Sequence, residues 1–123
     1  MNEQGEVVVD ETPNWLVAVR AAEDKKATNI VVLDLREITS FTDFFVICTG
    51  SNPKQIQAIS DEVQTRLKAR REYASGIEGY EAGEWVLGDY LDLVVHVFNE
   101  KAREFFDLDR LWRDARIVEI PAE

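Results

Sequence analysis

Two runs of this chain constrain its fold more than any other feature. They are Ile-Val-Val-Leu-Asp-Leu-Arg at residues 30–36 and Phe-Phe-Val-Ile-Cys-Thr at residues 44–49. Both are rich in β-branched or aromatic residues and apolar on successive positions, not alternating ones. Strands of that kind need cover on both faces, so they are predicted as inner strands of a sheet with packed layers on either side. The polar residues 37–43 between them read as a loop.

The covering layers are also legible. Thr12-Pro13 is predicted to open a helix, with Thr12 as cap and Pro13 in the first turn. Trp15, Val19 and Ala22 share one face of it, and it is expected to fade near residues 25–27. Gly50-Ser51-Asn52-Pro53 closes the second strand. Asn52 is the expected cap of the next helix, Pro53 its first residue, and Gln55 stands where a capping box takes Glu or Gln. Ile56, Ile59, Val63 and Leu67 then form an amphipathic stripe. Lys68, Arg70 and Arg71 stand at its carboxyl end, where the helix dipole favours cations.

A connector over residues 73–83 carries Gly76, Gly79 and Gly83. Two runs, 84–89 and 92–98, are predicted to pair as a hairpin turning at Tyr90-Leu91. Short helices are expected at residues 100–106 and around Leu108, Leu111 and Trp112. At 123 residues the chain fits one domain. The expectation is a single-domain α/β fold, a mixed β-sheet flanked by helices. Its domain spans residues 13–116, between a flexible acidic tail (1–12) and a short C-terminal tail (117–123). Val7–Val9 offers one short edge strand within the first tail.

Charge narrows the function. Lys and Arg total 14 and Asp and Glu total 24, a net charge of −10. Affinity for a phosphate backbone comes largely from Lys and Arg, so little direct RNA contact is expected; the charge suits a basic protein partner. A single cysteine, Cys48, excludes an internal disulfide and fits a reducing compartment. No run reaches the apolar length of a membrane span, and the acidic N-terminus does not resemble a signal peptide, so a cytoplasmic location is expected.

A turn at Tyr90-Leu91 would set Asp89 opposite Asp92, Leu87 opposite Val94 and Trp85 opposite His96, all on one side of the sheet. The other side, Val86, Gly88, Leu93, Val95 and Val97, reads as core. A tryptophan among aliphatic and charged neighbours has the composition of an interface centre. The alternative is that Trp85 packs under a helix and the acids are solvated. Between Glu72 and Glu100 the acids are Glu78, Glu81, Glu84, Asp89 and Asp92, with no Lys or Arg. That stretch is either a solvated acidic surface or a docking face for a basic partner.

Catalytic constellations are weak. Gly50-Ser51, with Lys54 nearby, could offer backbone N–H groups to an anion, and it is similar to the Gly-Ser that precedes paired metal-holding acids in nucleotidyltransferases. Here Asp89 and Asp92 are split by the turn, whereas metal-assisted phosphoryl transfer needs a paired set. His96 is the only histidine and cannot build a multi-histidine metal site. No nucleophile elbow accompanies Ser51, and no Walker or dinucleotide fingerprint is present. Cys48 reads as a buried small hydrophobe. No catalytic residue, metal or cofactor is expected.

Several separated motifs carry a resemblance. They are Asp43-Phe44-Phe45-Val46-Ile47-Cys48-Thr49-Gly50, Gln55-Ile56-Gln57-Ala58-Ile59, Ile77-Glu78-Gly79-Tyr80, Glu84-Trp85-Val86-Leu87 with Asp89-Tyr90, Asp92-Leu93-Val94-Val95-His96-Val97-Phe98, and Leu108-Asp109-Arg110-Leu111-Trp112. In this order and spacing the chain resembles the ribosomal silencing factor, or Iojap, family, from the first helix to Trp112. It departs from the family pattern at Gly88, often apolar, and at Leu91, often glycine. The resemblance implies a nucleotidyltransferase-like fold without the catalytic acids, and a non-enzymatic repressor of translation. It implies binding to large-subunit ribosomal protein fourteen on the large ribosomal subunit, where the bound factor blocks joining of the small subunit under nutrient limitation. On that reading Trp85, Leu87 and Tyr90 are the apolar anchors, Glu84, Asp89 and Asp92 meet basic side chains, and Tyr80 and His96 border the patch. A role in large-subunit assembly and a divergent metal-dependent nucleotidyltransferase are the alternatives, and a homodimer through the hairpin face stays open.

Overall fold

A computed structural model describes residues 11–123; the Val7–Val9 strand and nearly all of the acidic tail lie outside them. The elements run α1 (Asn14–Asp24), β1 (Thr28–Asp34), β2 (Phe44–Thr49), α2 (Pro53–Lys68), β3 (Gly76–Glu78), β4 (Trp85–Asp89), β5 (Leu93–Phe98), α3 (Glu100–Phe106), α4 (Leu108–Leu111) and β6 (Arg116–Val118). The six strands form one sheet in the order β3-β4-β5-β2-β1-β6. Only β2 and β5 run parallel; the other neighbours are antiparallel, so the sheet is mixed.

β2 and β5 lie at the centre and are buried along almost their whole length. One face packs under α1 and α2, where Ala18, Val19, Ile56, Ile59, Val63 and Leu67 meet Val46, Cys48, Val95 and Val97. The opposite face gathers Leu33, Phe45, Ile47, Val94 and Phe98 under Leu108 and Ala115, with Trp85, Leu87 and Trp112 half-buried around them. Successive apolar positions in β2 therefore feed two cores, as fully covered strands must. Among the described residues no helix is long and apolar enough to cross a membrane.

Local chemistry fixes the ends. The Asn52 side chain accepts the Gln55 N–H at 2.8 Å and caps α2, with Pro53 in the first turn. The Gln55 side-chain Oε1 reaches one residue further back than a capping box requires, accepting from the Ser51 N–H and hydroxyl. At α1 the cap falls on Pro13, whose carbonyl accepts from Leu16 and Val17, one residue past the expected Thr12. β1 starts and ends two residues before its expected span. Its last residue, Asp34, accepts the Arg36 N–H and guanidinium and turns Arg36 out of the ladder, while the Leu35 N–H still donates across to the Asp43 carbonyl at 2.8 Å.

Two expected loops contain strands. β3 arises inside the connector and pairs with β4. Gly79 (φ +79°) follows it so closely that a Cβ there would collide with the Trp85 carbonyl oxygen. The expected C-terminal tail is not free either. Residues 116–118 pair with β1 as β6, Arg116 bonds the Asp34 carboxylate at 2.9 Å, and Arg20 of α1 donates to the Pro121 carbonyl at 2.7 Å. Three-residue strands carry too little periodicity to announce themselves, and only a neighbour with open N–H and C=O groups makes them strands.

Candidate functional site: the face of the β4–β5 hairpin

The hairpin forms, but its register is shifted by two from the expected pairing. Trp85 lies opposite Phe98, Leu87 opposite His96 and Asp89 opposite Val94. The Tyr90 N–H donates to the Leu93 carbonyl, so the turn is Leu91-Asp92 and not Tyr90-Leu91. The cause is local: Leu91 takes the left-handed conformation (φ +73°), and the Asp89 carboxylate accepts its N–H at 2.9 Å. The expected Asp89–Asp92 confrontation is thereby removed. Asp92 leaves the ladder, and its carbonyl accepts from the Asp43 and Phe44 N–H groups, tying the starts of β5 and β2 together. Because the shift is even, the faces are preserved: Trp85, Leu87, Asp89, Val94, His96 and Phe98 still share one side.

That side is the one not covered by α1 and α2. Trp85 and Leu87 are half-buried there, and Asp89 is half-buried beside the exposed Asp92 and Leu91 at the tip. Glu84 is exposed at the opposite end of β4. The indole of Trp85 is fixed on three sides. It stacks on Phe98 at a centroid distance of 4.9 Å, meets Phe106 of α3 at 4.5 Å, and donates its N–H to His96 Nδ1 at 3.1 Å. Because Nδ1 accepts, the single N–H proton of the neutral imidazole sits on Nε2, which is buried with no hydrogen-bond partner. Burial lowers the His96 pKa to about 4, so the ring is a neutral prop under Trp85.

The structure places three of the expected contact residues elsewhere. His96 is 3% exposed and lies beneath the patch instead of bordering it. Tyr90 points to the other face of the sheet and is buried there, filling space that Gly88 leaves open; burial pushes its hydroxyl up to about 12. Tyr80 also packs on the α2 side, its hydroxyl donating to Asp61 at 3.0 Å. The reason is shared: one residue past the end of β4, alternation sends Tyr90 through the sheet, and β3 delivers Tyr80 to α2. Phe98 and Phe106, absent from the expected set, complete the support of Trp85. Phe105-Phe106 carried a signal, since two adjacent aromatics on a seven-residue helix cannot both face a core.

Other candidate chemistry is quiet. The Ser51 N–H and hydroxyl are both directed at Gln55. Cys48 is fully buried and its thiol is raised by burial to about 12, so it packs as a small hydrophobe. Among the described residues no group of three or more His, Cys, Asp or Glu side chains could hold a metal ion.

Residues 10–123 match the family described as "Ribosomal silencing factor during starvation". The chain belongs to the ribosomal silencing factor family. The ribosomal silencing factor of Halalkalibacterium halodurans is 42% identical over 104 residues, covering 85% of this chain and 89% of that relative. The ribosomal silencing factor of Bacillus subtilis is 36% identical over 104 residues, covering 85% of this chain and 88% of its own length. A crystal structure of a Chromobacterium violaceum protein superposes with a TM-score of 0.77 at 34% identity, covering 87% of this chain and 88% of that one. The mixed sheet described above is therefore a ribosomal silencing factor fold.

Proposed function

We propose that this chain lowers translation in the cytoplasm by docking, through the outer face of β4, on large-subunit ribosomal protein fourteen. The docked protein then stands in the path of the small subunit. The observation that carries this reading is the half-buried Trp85–Leu87–Asp89 face, held rigid from below by His96, Phe98 and Phe106. A preorganised tryptophan flanked by carboxylates is suited to a basic protein surface, since its position costs little ordering on binding. Glu84 and Asp92 mark the two ends of the face, and the chain's net charge of −10 favours encounter with a basic partner. The role asks for no catalysis: a bound body of sufficient bulk blocks joining by competition. Tyr90, Tyr80 and His96 act in this reading as packing and support, and Trp85 and Leu87 as the apolar contacts.

The test is sedimentation of purified ribosomal subunits with the protein. Co-migration with the large subunit and a lower yield of joined ribosomes are expected. Trp85→Ala is expected to weaken binding by at least about 2 kcal/mol, as truncation of a hot-spot tryptophan does. Wild-type binding to precursor particles with joining unaffected would turn the reading toward subunit assembly. Undiminished binding by a folded Trp85→Ala variant would remove β4 as the docking element.

A further inference from the structure

Beside the β4 face lies a second surface, which meets the docking face at Glu84 and Phe106 and otherwise extends beyond it. A groove of about 690 Å³ opens between the base of the hairpin, at Glu84 and Asn99, and the outer side of α3, at Lys101, Glu104, Phe105 and Phe106. Its floor is aromatic. Phe105 is 79% exposed and Phe106 45% exposed, the two rings packing edge to face at 5.0 Å. Phe106 also touches Trp85, so the groove continues the β4 face without a break. The exposed carboxylates Glu84 and Glu104 flank it, and neither joins an ion pair among the described residues. Lys101 stands against them as the single cation of the lining.

We propose that this groove receives an arginine side chain, carried on a segment of the basic protein partner. The inference rests on the docking reading above and names a second contact within it. Charge complementarity decides the occupant. Phenylalanine faces attract a cation, a planar guanidinium stacks on them, and two carboxylates offer paired acceptors to its N–H donors. An apolar segment would leave Glu84 and Glu104 desolvated without partners, and a phosphate backbone would be repelled by them.

The experiment replaces Phe105 with a photo-crosslinking phenylalanine in the full chain, bound to purified large subunits. The expected adduct is to an arginine-bearing peptide of a ribosomal protein. An adduct to ribosomal RNA or to a second copy of the chain, or no adduct at saturating occupancy, overturns the proposal. In parallel, Phe105→Ala is expected to raise the dissociation constant by about tenfold, the scale of a desolvated cation–aromatic contact. Its melting temperature should not fall, because the ring is almost fully exposed. The variant Glu104→Gln, at a carboxylate outside the docking face, is expected to weaken binding and to flatten its salt dependence. If Trp85→Ala loses binding while the Phe105 and glutamate variants bind like wild type, the groove proposal fails and the docking reading stands. If wild type does not bind large subunits, both fail.

Discussion

His96 shows how one buried side chain couples stability to the candidate surface. The fold holds it neutral down to about pH 4, whereas the unfolded chain titrates near 6.5. Between those values the unfolded state binds more protons, so stability is full above the unfolded value and falls as pH drops toward the folded one. The loss is expected to reach about 2 kcal/mol by pH 5. Urea unfolding at pH 7 and pH 5 checks this, and His96→Gln should remove most of the pH 7-to-5 difference. Asp34 does not confound the window. The Arg36 guanidinium beside it, aided by Arg116, holds its carboxyl far below the usual range, so its contribution is lost only below about pH 4. That His96 would stand on a strand, on the same side of the sheet as Trp85, was legible in the sequence. The expected register set Trp85 directly opposite it; in the structure the Trp85 N–H reaches it diagonally across the ladder, because register decides diagonals.

At the scale of elements, the hairpin separates what pattern determines from what a turn decides. Alternation correctly put Trp85, Leu87 and Asp89 on one face and Val86 and Gly88 on the other. Opposite numbers failed because the turn advanced by one residue, to a place where Leu91 sits left-handed. A left-handed leucine is disfavoured by about 1–2 kcal/mol, and glycine's greater unfolded-state freedom offsets about 0.5–1 kcal/mol of that. Leu91→Gly is therefore expected to stabilise the protein by about 0.5 kcal/mol in chemical denaturation, its side chain being 67% exposed. α2 was the most legible element, since its cap, its first-turn proline and its apolar stripe agree. The short strands β3 and β6 were illegible for the opposite reason, having three residues each and no pattern of their own.

For the whole molecule, the C-terminal segment closes the sheet. Removing residues 116–123 would open the β1 edge, take Arg116 from the buried Asp34, and uncover the apolar surface beneath Val118 and Ile120. The truncated chain is expected to lose at least about 2 kcal/mol of unfolding free energy, the scale of one buried aliphatic side chain and its neighbours. Charge also acts at this scale. If the acidic face docks on a basic protein, binding to large subunits should weaken steadily between about 0.1 M and about 0.5 M salt, and Asp89→Asn/Asp92→Asn should reduce that slope. The sequence by itself determined the doubly covered inner strands, the two-layer cover, the family and which hairpin residues share a side. Each follows from local periodicity, capping chemistry or motif spacing, which a chain carries before it folds. Only the tertiary structure decided that Tyr90 turns inward, that His96 and Phe106 brace Trp85, and that the C-terminus becomes a strand. Those outcomes depend on register and on which edges and rings lie within reach, and such distances exist only after the layers have packed.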